Sequence, residues 1–357
     1  MNTLFSNNTT EKSKLIIAGP CSAESREQLF STATQLKDLG VNNFRAGIWK
    51  PRTRPNSFEG IGHAALDWMS EVKQTLNMQI TTEVASAKHV EACLKSDFDA
   101  LWIGARTTVN PFLVQEIAEA VKGVDIPIFI KNPIHSEIGL WIGAIERFQK
   151  MGVKQIGNIF RGFHTSHSAP YRNEPKWKIG LEIKRLFPEL PLLCDPSHIG
   201  GKRDLIFPIS QTSYDLNFDG LMIETHPNPN DALSDANQQI TPADLKIVLE
   251  NLIIKKSTFI DCDLQEKLAN IRSEINQLDY NVMDILSKRF DYTDEIGHLK
   301  KDGDVRIFQL NRYQELLDDH IKHSENLEHL DKAFIKELFE LIHKYSIAHQ
   351  TKINTTR

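Results

Sequence analysis

The sequence lacks any apolar run that approaches the ~18 residues needed to span a membrane. Its start, MNTLFSNNTTEKSK, is polar and has no apolar segment typical of a secretory signal. It also lacks an excess of positive charge, since the formal net charge is −5. We therefore expect neither a nucleic acid nor a membrane as partner, and any local cluster of cations indicates a specific site.

Cysteine is scarce, and its spacing shows no pairing pattern. The four residues form no CxxC motif and no disulfide-like framework; they are Cys21, Cys93, Cys194 and Cys262. This usage fits a reducing compartment, and together with the polar start it predicts a cytoplasmic protein.

Between Lys14 and about Lys255, short apolar runs alternate with amphipathic segments of helical length. The runs are KLIIAGP, NFRAGIW, QITTEV, ALWIGA, PIFIKNP, QIGNIFR, PLLCDPS and GLMIETH. Apolar strands separated by helices indicate parallel βαβ units whose sheet is covered on both faces. Eight repeats over about 240 residues favour a (β/α)₈ barrel over an open doubly wound sheet.

Polar side chains fall at the C-terminal end of each run or just after it. In a barrel these ends meet at one rim, where active sites are built. The basic members suit phosphorylated anions; they are Arg45, Lys50, Arg52, Arg106, Lys131 and Arg161. The other polar residues include Glu83 and Asp195. A further set combines a thiol, an imidazole and carboxylates, which suits Mn²⁺, Fe²⁺, Co²⁺ or Zn²⁺; its members are Cys21, His198, Glu224 and Asp235. Because His226 lies two residues after Glu224 on the same strand face, the pattern leaves either as a ligand.

After Lys255 the pattern becomes all-helical. An apolar seam with steps of four and three residues comprises Leu264, Leu268, Ile271, Ile275, Leu278, Val282 and Ile285. The next step places Arg289 where an apolar residue belongs, and Lys300 lies on the same face about three turns later. Buried cations need an anion, so this face predicts a dianionic ligand. Helical segments follow at roughly 308–323 and 331–351, which predicts a barrel at 1–255, a linker at 256–263 and an all-α domain at 264–357.

The strand ends of the first region carry a specific resemblance. The motifs are AGPCSAES at 18–25, KPRT at 50–53, TEV at 82–84, GART at 104–107, CDPSH at 194–198 and GLMIETHPNPNDALSD at 220–235. In this order they resemble the type I 3-deoxy-D-arabino-heptulosonate 7-phosphate (DAHP) synthases over the whole predicted barrel. The related 3-deoxy-manno-octulosonate 8-phosphate synthases share GPCS but carry a different loop in place of KPRT, and they are the alternative.

This resemblance implies a shikimate-pathway condensation of phosphoenolpyruvate with erythrose 4-phosphate, with release of phosphate. It implies a divalent metal that acts as a Lewis acid, held by Cys21, His198, Glu224 and Asp235. Phosphoenolpyruvate would be bound by Ala105, Arg106, Lys131 and Arg161, with Arg45, Lys50 and Glu83 around its carboxylate and reacting carbon. Arg52 and Thr53 would bind the phosphate of erythrose 4-phosphate. Lys50, His198 and a water on the metal are the alternatives for protonating the aldehyde oxygen.

Two departures from the family pattern affect these expectations. Many relatives carry arginine after the lysine of the fifth strand, whereas Asn132 and Pro133 follow Lys131 here. Many also carry an N-terminal regulatory domain, whereas about 13 residues precede the first predicted strand. We therefore expect any feedback control to come from elsewhere in the chain.

The helical region carries a second resemblance, over about 265–351. LANIRSEINQLD, SKRF, HLKK, QLNRYQE and YSIAHQ resemble the all-α chorismate mutases. The resemblance implies rearrangement of chorismate to prephenate, which needs no nucleophile, only a pocket that holds the reactive conformer and stabilises developing charge. It places the substrate carboxylates on Arg272 and Arg289 and the ether oxygen near Lys300 and Gln350. Gln309, Arg312 and Ser346 would complete the pocket.

In that family two chains interlock, and Arg272 would reach into the partner's pocket. We therefore expect a homodimer through the helical domain or a higher homo-oligomer. Where bacterial relatives often carry aspartate and glutamate for the substrate hydroxyl, this sequence has Gln309 and Tyr313. The alternative is a helical domain that senses chorismate or prephenate and inhibits the barrel, and both roles are compatible.

Overall fold

The structure, a computed structural model, describes residues 14–50, 58–165, 170–256, 258–259 and 261–355. The chain divides into two compact units, with the boundary between Lys255 and Lys256. Within the described ranges, no helix is long and apolar enough to cross a membrane.

The first unit contains a closed barrel of eight parallel strands in chain order, which confirms the predicted fold class. The strands are β1 (Leu15–Gly19), β2 (Asn43–Arg45), β3 (Gln79–Val84), β4 (Ala100–Ile103), β5 (Ile128–Lys131), β6 (Ile156–Phe160), β7 (Leu192–Cys194) and β8 (Gly220–Glu224). The barrel closes where β1 pairs with β8, with Leu15 opposite Gly220 and Gly19 opposite Glu224.

The helices of this unit follow the strands. They are α1 (Arg26–Asp38), α2 (Ala64–Leu76), α3 (Ala87–Lys95), α4 (Ala105–Thr108), α5 (Pro111–Ala120), α6 (Ile138–Lys150), α7 (Trp177–Leu186), α8 (Pro196–Gly200), α9 (Ile206–Asp215) and α10 (Pro242–Asn251). Polar caps fix several starts: the Ser25 side chain accepts from the Gln28 amide, and Thr241 and Asp244 form a capping box.

Strand periodicity separates two cores. Apolar side chains between the strands and helices form the larger core, whereas a small separate cluster lies inside the barrel. That inner cluster is Ile17, Ala100, Trp102, Phe129, Ile159, Leu193 and Met222. Because strand side chains alternate between the two faces, the residue two positions after a member of this cluster also points into the barrel. It lies closer to the C-terminal rim. This register places the polar residues at the strand ends inside the barrel mouth.

The second unit consists of three helices, as the helical periodicity predicts. They are α11 (Cys262–Asp302), α12 (Leu310–Ser324) and α13 (Lys332–Thr355). Asp261 caps the start of α11, and α13 packs against both α11 and α12. Within the described residues, most of the apolar seam in the first half of α11 is exposed, from 45% for Leu264 to 65% for Ile285, and Leu268 is half-buried. Within the described helical unit, these side chains therefore lack an apolar cover.

Candidate functional site

Three potential metal ligands converge at the C-terminal rim of the barrel. The thiol of Cys21, after β1, and the carboxylates of Glu224, in β8, and Asp235 have ligand atoms within 4.8 Å of one another. The Sγ atom of Cys21 lies 3.4 Å from Oδ2 of Asp235. Sulfur and carboxylate donors at this spacing suit a borderline divalent ion.

His198 lies beside this cluster and is oriented from behind. Its Nδ1 is 2.8 Å from Oδ2 of Asp195, and its Nε2 is 3.8 Å from Oε1 of Glu224. Asp195 caps α8 by accepting from the His198 amide. Burial lowers the pKa of His198, which favours the neutral imidazole that metal ligation requires. Because Asp195 engages Nδ1, the Nε2 atom of His198 is available to bind a metal, as in carboxylate–histidine pairs at metal sites.

His226, the alternative to Glu224, is engaged elsewhere. Its Nε2 lies 3.5 Å from Oε2 of Glu24, and its Nδ1 accepts from the amide of Asn228. Glu224 is fully buried and belongs to the cluster. The geometry therefore favours Glu224 over His226.

The protonation states of the cluster depend on burial and on neighbouring cations. Burial, with the carboxylate of Glu224, raises the pKa of Cys21 to about 12. Burial opposes the charge on Glu224, but His198, Arg45 and Lys50 outweigh it and keep its pKa below the usual value. Without a metal the thiol is therefore neutral at pH 7, and thiolate ligation would require the charge of a divalent ion.

Two cations contact the cluster, one at the end of β2 and one in the loop after it. Arg45 lies inside the barrel with Nη2 3.2 Å from Oε1 of Glu224, and its guanidinium packs over Trp102. The Nζ of Lys50 is 2.9 Å from the Cys21 sulfur and donates to the Cys21 carbonyl oxygen at 2.8 Å. Within the described part of the chain, Nε and Nη1 of Arg45 are buried without a hydrogen-bond partner. Unpaired buried donors are costly, so these two nitrogens fit an anion.

Two further cations lie at the ends of neighbouring strands: Lys131 is the last residue of β5, and Arg161 directly follows β6. Lys131 forms a 2.8 Å ion pair with Asp195, and Arg161 donates to Asn173 at 2.9 Å. Burial, opposed by Asp195 and assisted by the nearby charges of Arg172 and Arg106, lowers the pKa of Arg161 to about 10. A guanidinium that is buried near other cations fits a multiply charged anion such as a phosphate.

Glu83 and the short helix α4 form the adjacent part of the rim. Glu83 accepts a hydrogen bond from Nε1 of Trp102 at 3.1 Å. Gly104 allows this approach, since a Cβ there would lie 2.0 Å from Oε1 of Glu83. Gly104 also precedes α4, which begins at Ala105 and carries the exposed Arg106. The predicted positions Arg52 and Thr53 lie outside the described residues.

Sequence reasoning missed three polar residues at this site. Gln238, Gln239 and Arg172 contact the cluster members directly. They follow no apolar run, so neither strand periodicity nor charge grouping indicated them. Gln239 does lie within the same loop as the motif that contains Asp235, which is the one available signal.

The helical unit holds a second group of cations. Nη1 of Arg289 donates to Oγ of Ser346 at 2.9 Å, and Nζ of Lys300 donates to the Ile307 carbonyl at 2.7 Å. Burial lowers the pKa of both cations. Burial lowers the pKa of His343, and the charges of Arg289 and Lys300 lower it further.

Ser346 and Gln350 are buried on one face of α13. Gly297 brings α11 close to this face, because a Cβ there would lie 3.3 Å from Cγ of Gln350. Among the described residues, Oε1 of Gln350 has no hydrogen-bond partner although it is buried. This unpaired oxygen lies on the face of α13 that Arg289 contacts through Ser346.

The remaining predicted pocket residues are more exposed. Gln309 directly precedes α12, and Arg312 forms a surface ion pair with Glu315 at 3.3 Å. Arg272 is exposed in the first half of α11. Tyr313 stacks on His343 with ring centroids 4.3 Å apart. One chain therefore brings Arg289, Lys300, Ser346 and Gln350 together, and it leaves Arg272 without a contact to them.

Comparison with known families divides the chain in the same way. The model of the DAHP synthetase I family matches residues 7–258, and the model of chorismate mutase type II matches residues 271–351.

Individual relatives resemble the barrel. A phospho-2-dehydro-3-deoxyheptonate aldolase from Thermotoga maritima is 35% identical over 225 residues, which are 63% of this chain and 64% of that protein. A 2-dehydro-3-deoxyphosphooctonate aldolase from Campylobacter jejuni is 27% identical over 274 residues, 68% of this chain and 96% of the relative. The crystal structure of the Thermotoga DAHP synthase has a TM-score of 0.60 at 32% identity and covers 66% of this chain and 67% of its own.

Proposed function

Because this chain belongs to the DAHP synthetase I family and also contains a chorismate mutase type II domain, we propose that it is a bifunctional enzyme. The barrel would condense phosphoenolpyruvate with erythrose 4-phosphate to DAHP and phosphate. The helical domain would rearrange chorismate to prephenate. The proposed division is a barrel at 1–255, a linker at 256–263 and a helical domain at 264–357.

The observation that carries the first activity is the convergence at the barrel mouth. A thiol and two carboxylates lie within 4.8 Å of one another, with His198 beside them and the cations Arg45 and Lys50 in contact. The donor set fits Mn²⁺, Fe²⁺, Co²⁺ or Zn²⁺, because it mixes soft and hard ligands. Oε1 of Glu224 supports this fit, since it is buried without a hydrogen-bond partner within the described ranges.

In this proposal Cys21, His198, Glu224 and Asp235 hold the metal, which supplies Lewis acidity at the aldehyde. Arg106, Lys131 and Arg161 bind the phosphate of phosphoenolpyruvate, with Ala105 beside it. Arg45 and Lys50 neutralise its carboxylate, and Glu83 borders the reacting carbon. The C3 atom of phosphoenolpyruvate attacks the aldehyde carbon, water adds at C2, and phosphate leaves with cleavage of its C–O bond. The cations offset the electrostatic repulsion between the two phosphorylated substrates and so allow them to approach each other.

Lys50 and His198 are the proposed groups nearest the aldehyde oxygen. Burial opposes the charge on Lys50, but its interactions with Cys21 and Glu224 outweigh burial and raise its pKa. A charged ammonium next to the cluster can donate a proton, whereas a neutral imidazole bound to a metal cannot. This comparison favours Lys50.

The octulosonate synthases are the alternative for the barrel. The DAHP assignment is supported by the family match over 7–258 and by the higher identity to the Thermotoga relative, 35% against 27%. The KPRT motif at 50–53 also favours the shorter sugar phosphate.

We expect Arg52→Ala to raise the Michaelis constant for erythrose 4-phosphate about 10-fold to 100-fold and to change that for phosphoenolpyruvate much less. A lost guanidinium contact to a phosphate costs about 1.5–3 kcal/mol, which corresponds to this range. Steady-state kinetics with each substrate varied in turn would measure both constants. Arg54→Ala is the matched control, and equal effects of Arg52→Ala on both substrates would contradict the assignment.

For the helical domain, the mutase proposal is supported by the family match and by the grouping of Arg289, Lys300, Ser346 and Gln350. Arg289 would bind a substrate carboxylate, and Lys300 and Gln350 would stabilise charge on the ether oxygen. Gln309 and Arg312 would complete the pocket from α12. Tyr313 stacks on His343, and its phenol does not supply the carboxylate that many relatives use for the substrate hydroxyl.

We also propose a homodimer through α11. The exposed seam of that helix supports it, because side chains such as Ile275 (50%), Leu278 (62%) and Ile285 (65%) would otherwise face water. In such a pair Arg272 of one chain would complete the pocket of the other. A cytoplasmic location also belongs to the proposal, and four free cysteines are consistent with it.

The helical domain would also sense prephenate or chorismate and inhibit the barrel. We expect prephenate to slow condensation by the wild-type enzyme and to have little effect on the Arg289→Ala variant, because that variant loses the carboxylate contact. The initial rate of phosphoenolpyruvate consumption with and without prephenate measures this. Equal inhibition of both proteins would place the inhibitor outside the helical pocket.

A further inference from the structure

Two consecutive glutamines, Gln238 and Gln239, are buried behind the metal-ligand cluster. Their side-chain amides contact different members of the cluster and leave other ligand atoms free. We propose that Gln238 and Gln239 are positioning residues that set the geometry of the metal site before the ion binds. This inference rests on the proposed metal-dependent function.

Gln238 fixes the carboxylate of Glu224. Its Nε2 donates to Oε2 of Glu224 at 2.6 Å. The other oxygen, Oε1, accepts no hydrogen bond within the described part of the chain and lies 3.2 Å from Nη2 of Arg45. Because one oxygen is held by the amide, the carboxylate cannot rotate freely, and Oε1 stays turned toward the cluster.

The same amide reaches Asp235 through Arg172. Nη1 of Arg172 donates to Oε1 of Gln238 at 2.5 Å and to Oδ1 of Asp235 at 3.1 Å. This leaves Oδ2 of Asp235 on the side of Cys21, 3.4 Å from its sulfur. Gln238 therefore holds Oε2 of Glu224 directly, and the Arg172 guanidinium that it contacts holds Oδ1 of Asp235.

The backbone at Asp235 shows that this arrangement is imposed by its surroundings. Asp235 has φ +48° and ψ +39°, in the left-handed region that non-glycine residues occupy rarely. Such conformations carry a cost and persist where neighbouring contacts determine them. The backbone amide of Gln238 donates to the Asp235 carbonyl at 3.2 Å, so the glutamine also supports the turn itself.

Gln239 joins the third ligand to the same loop. The backbone amide of Cys21 donates to Oε1 of Gln239 at 2.9 Å, and Nε2 of Gln239 donates to the carbonyl of Ser234 at 2.8 Å. The residue that carries the thiol is thereby tied to the residue before Asp235. The two amides together connect the loop after β1, strand β8 and the loop at 234–239.

Outer contacts of this kind raise metal affinity because the ligands need no rearrangement on binding. Their loss typically weakens metal binding by about 10-fold to 100-fold. We therefore expect the dissociation constant for Mn²⁺ to rise about 10-fold to 100-fold in the Gln238→Met variant of the full chain. Methionine has a similar volume but forms none of these hydrogen bonds.

Isothermal titration of the metal-free proteins with Mn²⁺ alone measures this directly. Gln155→Met is the matched control, because Gln155 precedes β6 at the opposite end of the barrel and contacts Asp125 there. Gln239→Met tests the second amide. Gln238→Asn is a smaller change whose shortened amide cannot reach both Glu224 and Arg172, and it serves if the methionine variant does not fold.

The outcomes separate this inference from the function on which it rests. A wild-type chain that binds no Mn²⁺ would overturn the metal site itself and this inference with it. A wild type that binds Mn²⁺, with Gln238 and Gln239 variants of the same affinity, would overturn the positioning role alone. Weaker binding by these variants and unchanged binding by Gln155→Met is the predicted result.

Discussion

Replacement of Cys21 by alanine is expected to abolish the condensation, with a fall in kcat of about 10³-fold or more, equivalent to roughly 4 kcal/mol. Cys21 is fully buried, and its sulfur completes a cluster with Glu224 and Asp235. Without the thiolate, two carboxylates and an imidazole remain, and the ion would be held more weakly and with altered geometry. A Lewis acid at the aldehyde would supply several kcal/mol, so its loss would account for an effect of this size.

The measurement is phosphoenolpyruvate consumption by chelator-treated proteins with and without added Mn²⁺. We expect metal to restore the wild type but not Cys21→Ala. Cys93→Ala is the matched control, since Cys93 is also buried but lies in α3, outside the cluster. Retained chorismate rearrangement in Cys21→Ala would show that the chain is folded. Full condensation by the chelated wild type would refute the metal assignment.

Replacement of Arg289 by alanine is expected to lower kcat/KM for chorismate by about 10²-fold to 10³-fold, the range for loss of one preorganised donor to developing charge. Arg289 is partly buried, and its Nη1 donates to Oγ of Ser346 at 2.9 Å. The lost guanidinium would leave a substrate carboxylate without its partner. Initial rates of chorismate loss measure the effect. Lys288→Ala, which removes an exposed charge from the same helix, is the control.

The proposed exchange of Arg272 between chains permits a sharper test. Arg272→Ala and Arg289→Ala are each expected to be inactive as mutases, but their mixed dimers would contain one intact pocket. With random pairing, about half of the dimers are mixed, so about a quarter of all pockets recover. No recovery in co-expressed mixed dimers would mean that each pocket takes both arginines from one chain.

The barrel could be predicted from sequence because most of its strands are largely apolar, as in LIIAG, ALWI and GLMIE. Strand β4, Ala100–Ile103, is buried at every position, as expected where helices cover one face and the barrel interior the other. The rim residues followed from the same logic, since Lys131 and Glu224 both end strands. Period and topology together therefore predicted which side chains share the barrel mouth.

Geometry within the mouth could not be predicted. Glu224 and His226 have the same strand parity, and the contacts of His226 with Glu24 and Asn228 distinguish them. Arg172 contacts Gln238 and Asp235 through side-chain hydrogen bonds that span 66 and 63 positions. Such contacts depend on the folded loop and leave no periodic signal in the sequence.

The helical domain shows a different limit. The seam from Leu264 to Ile285 predicted a long helix, and α11 extends over Cys262–Asp302. The pattern also predicts an apolar partner for that seam, yet within the described helical unit most of its side chains are exposed. Helical periodicity identifies the apolar face of the helix, but it does not identify what covers that face.

If one chain carries two separate active sites, each activity can be lost without the other, and a crossed assay of the two-domain protein tests this. Wild type, Cys21→Ala and Arg289→Ala, each loaded with Mn²⁺, would be assayed for condensation and for chorismate rearrangement. The predicted result is both activities in the wild type, loss of condensation alone in Cys21→Ala, and loss of rearrangement alone in Arg289→Ala. Absence of either activity from the wild type, or loss of both from one substitution in a folded protein, would contradict the account.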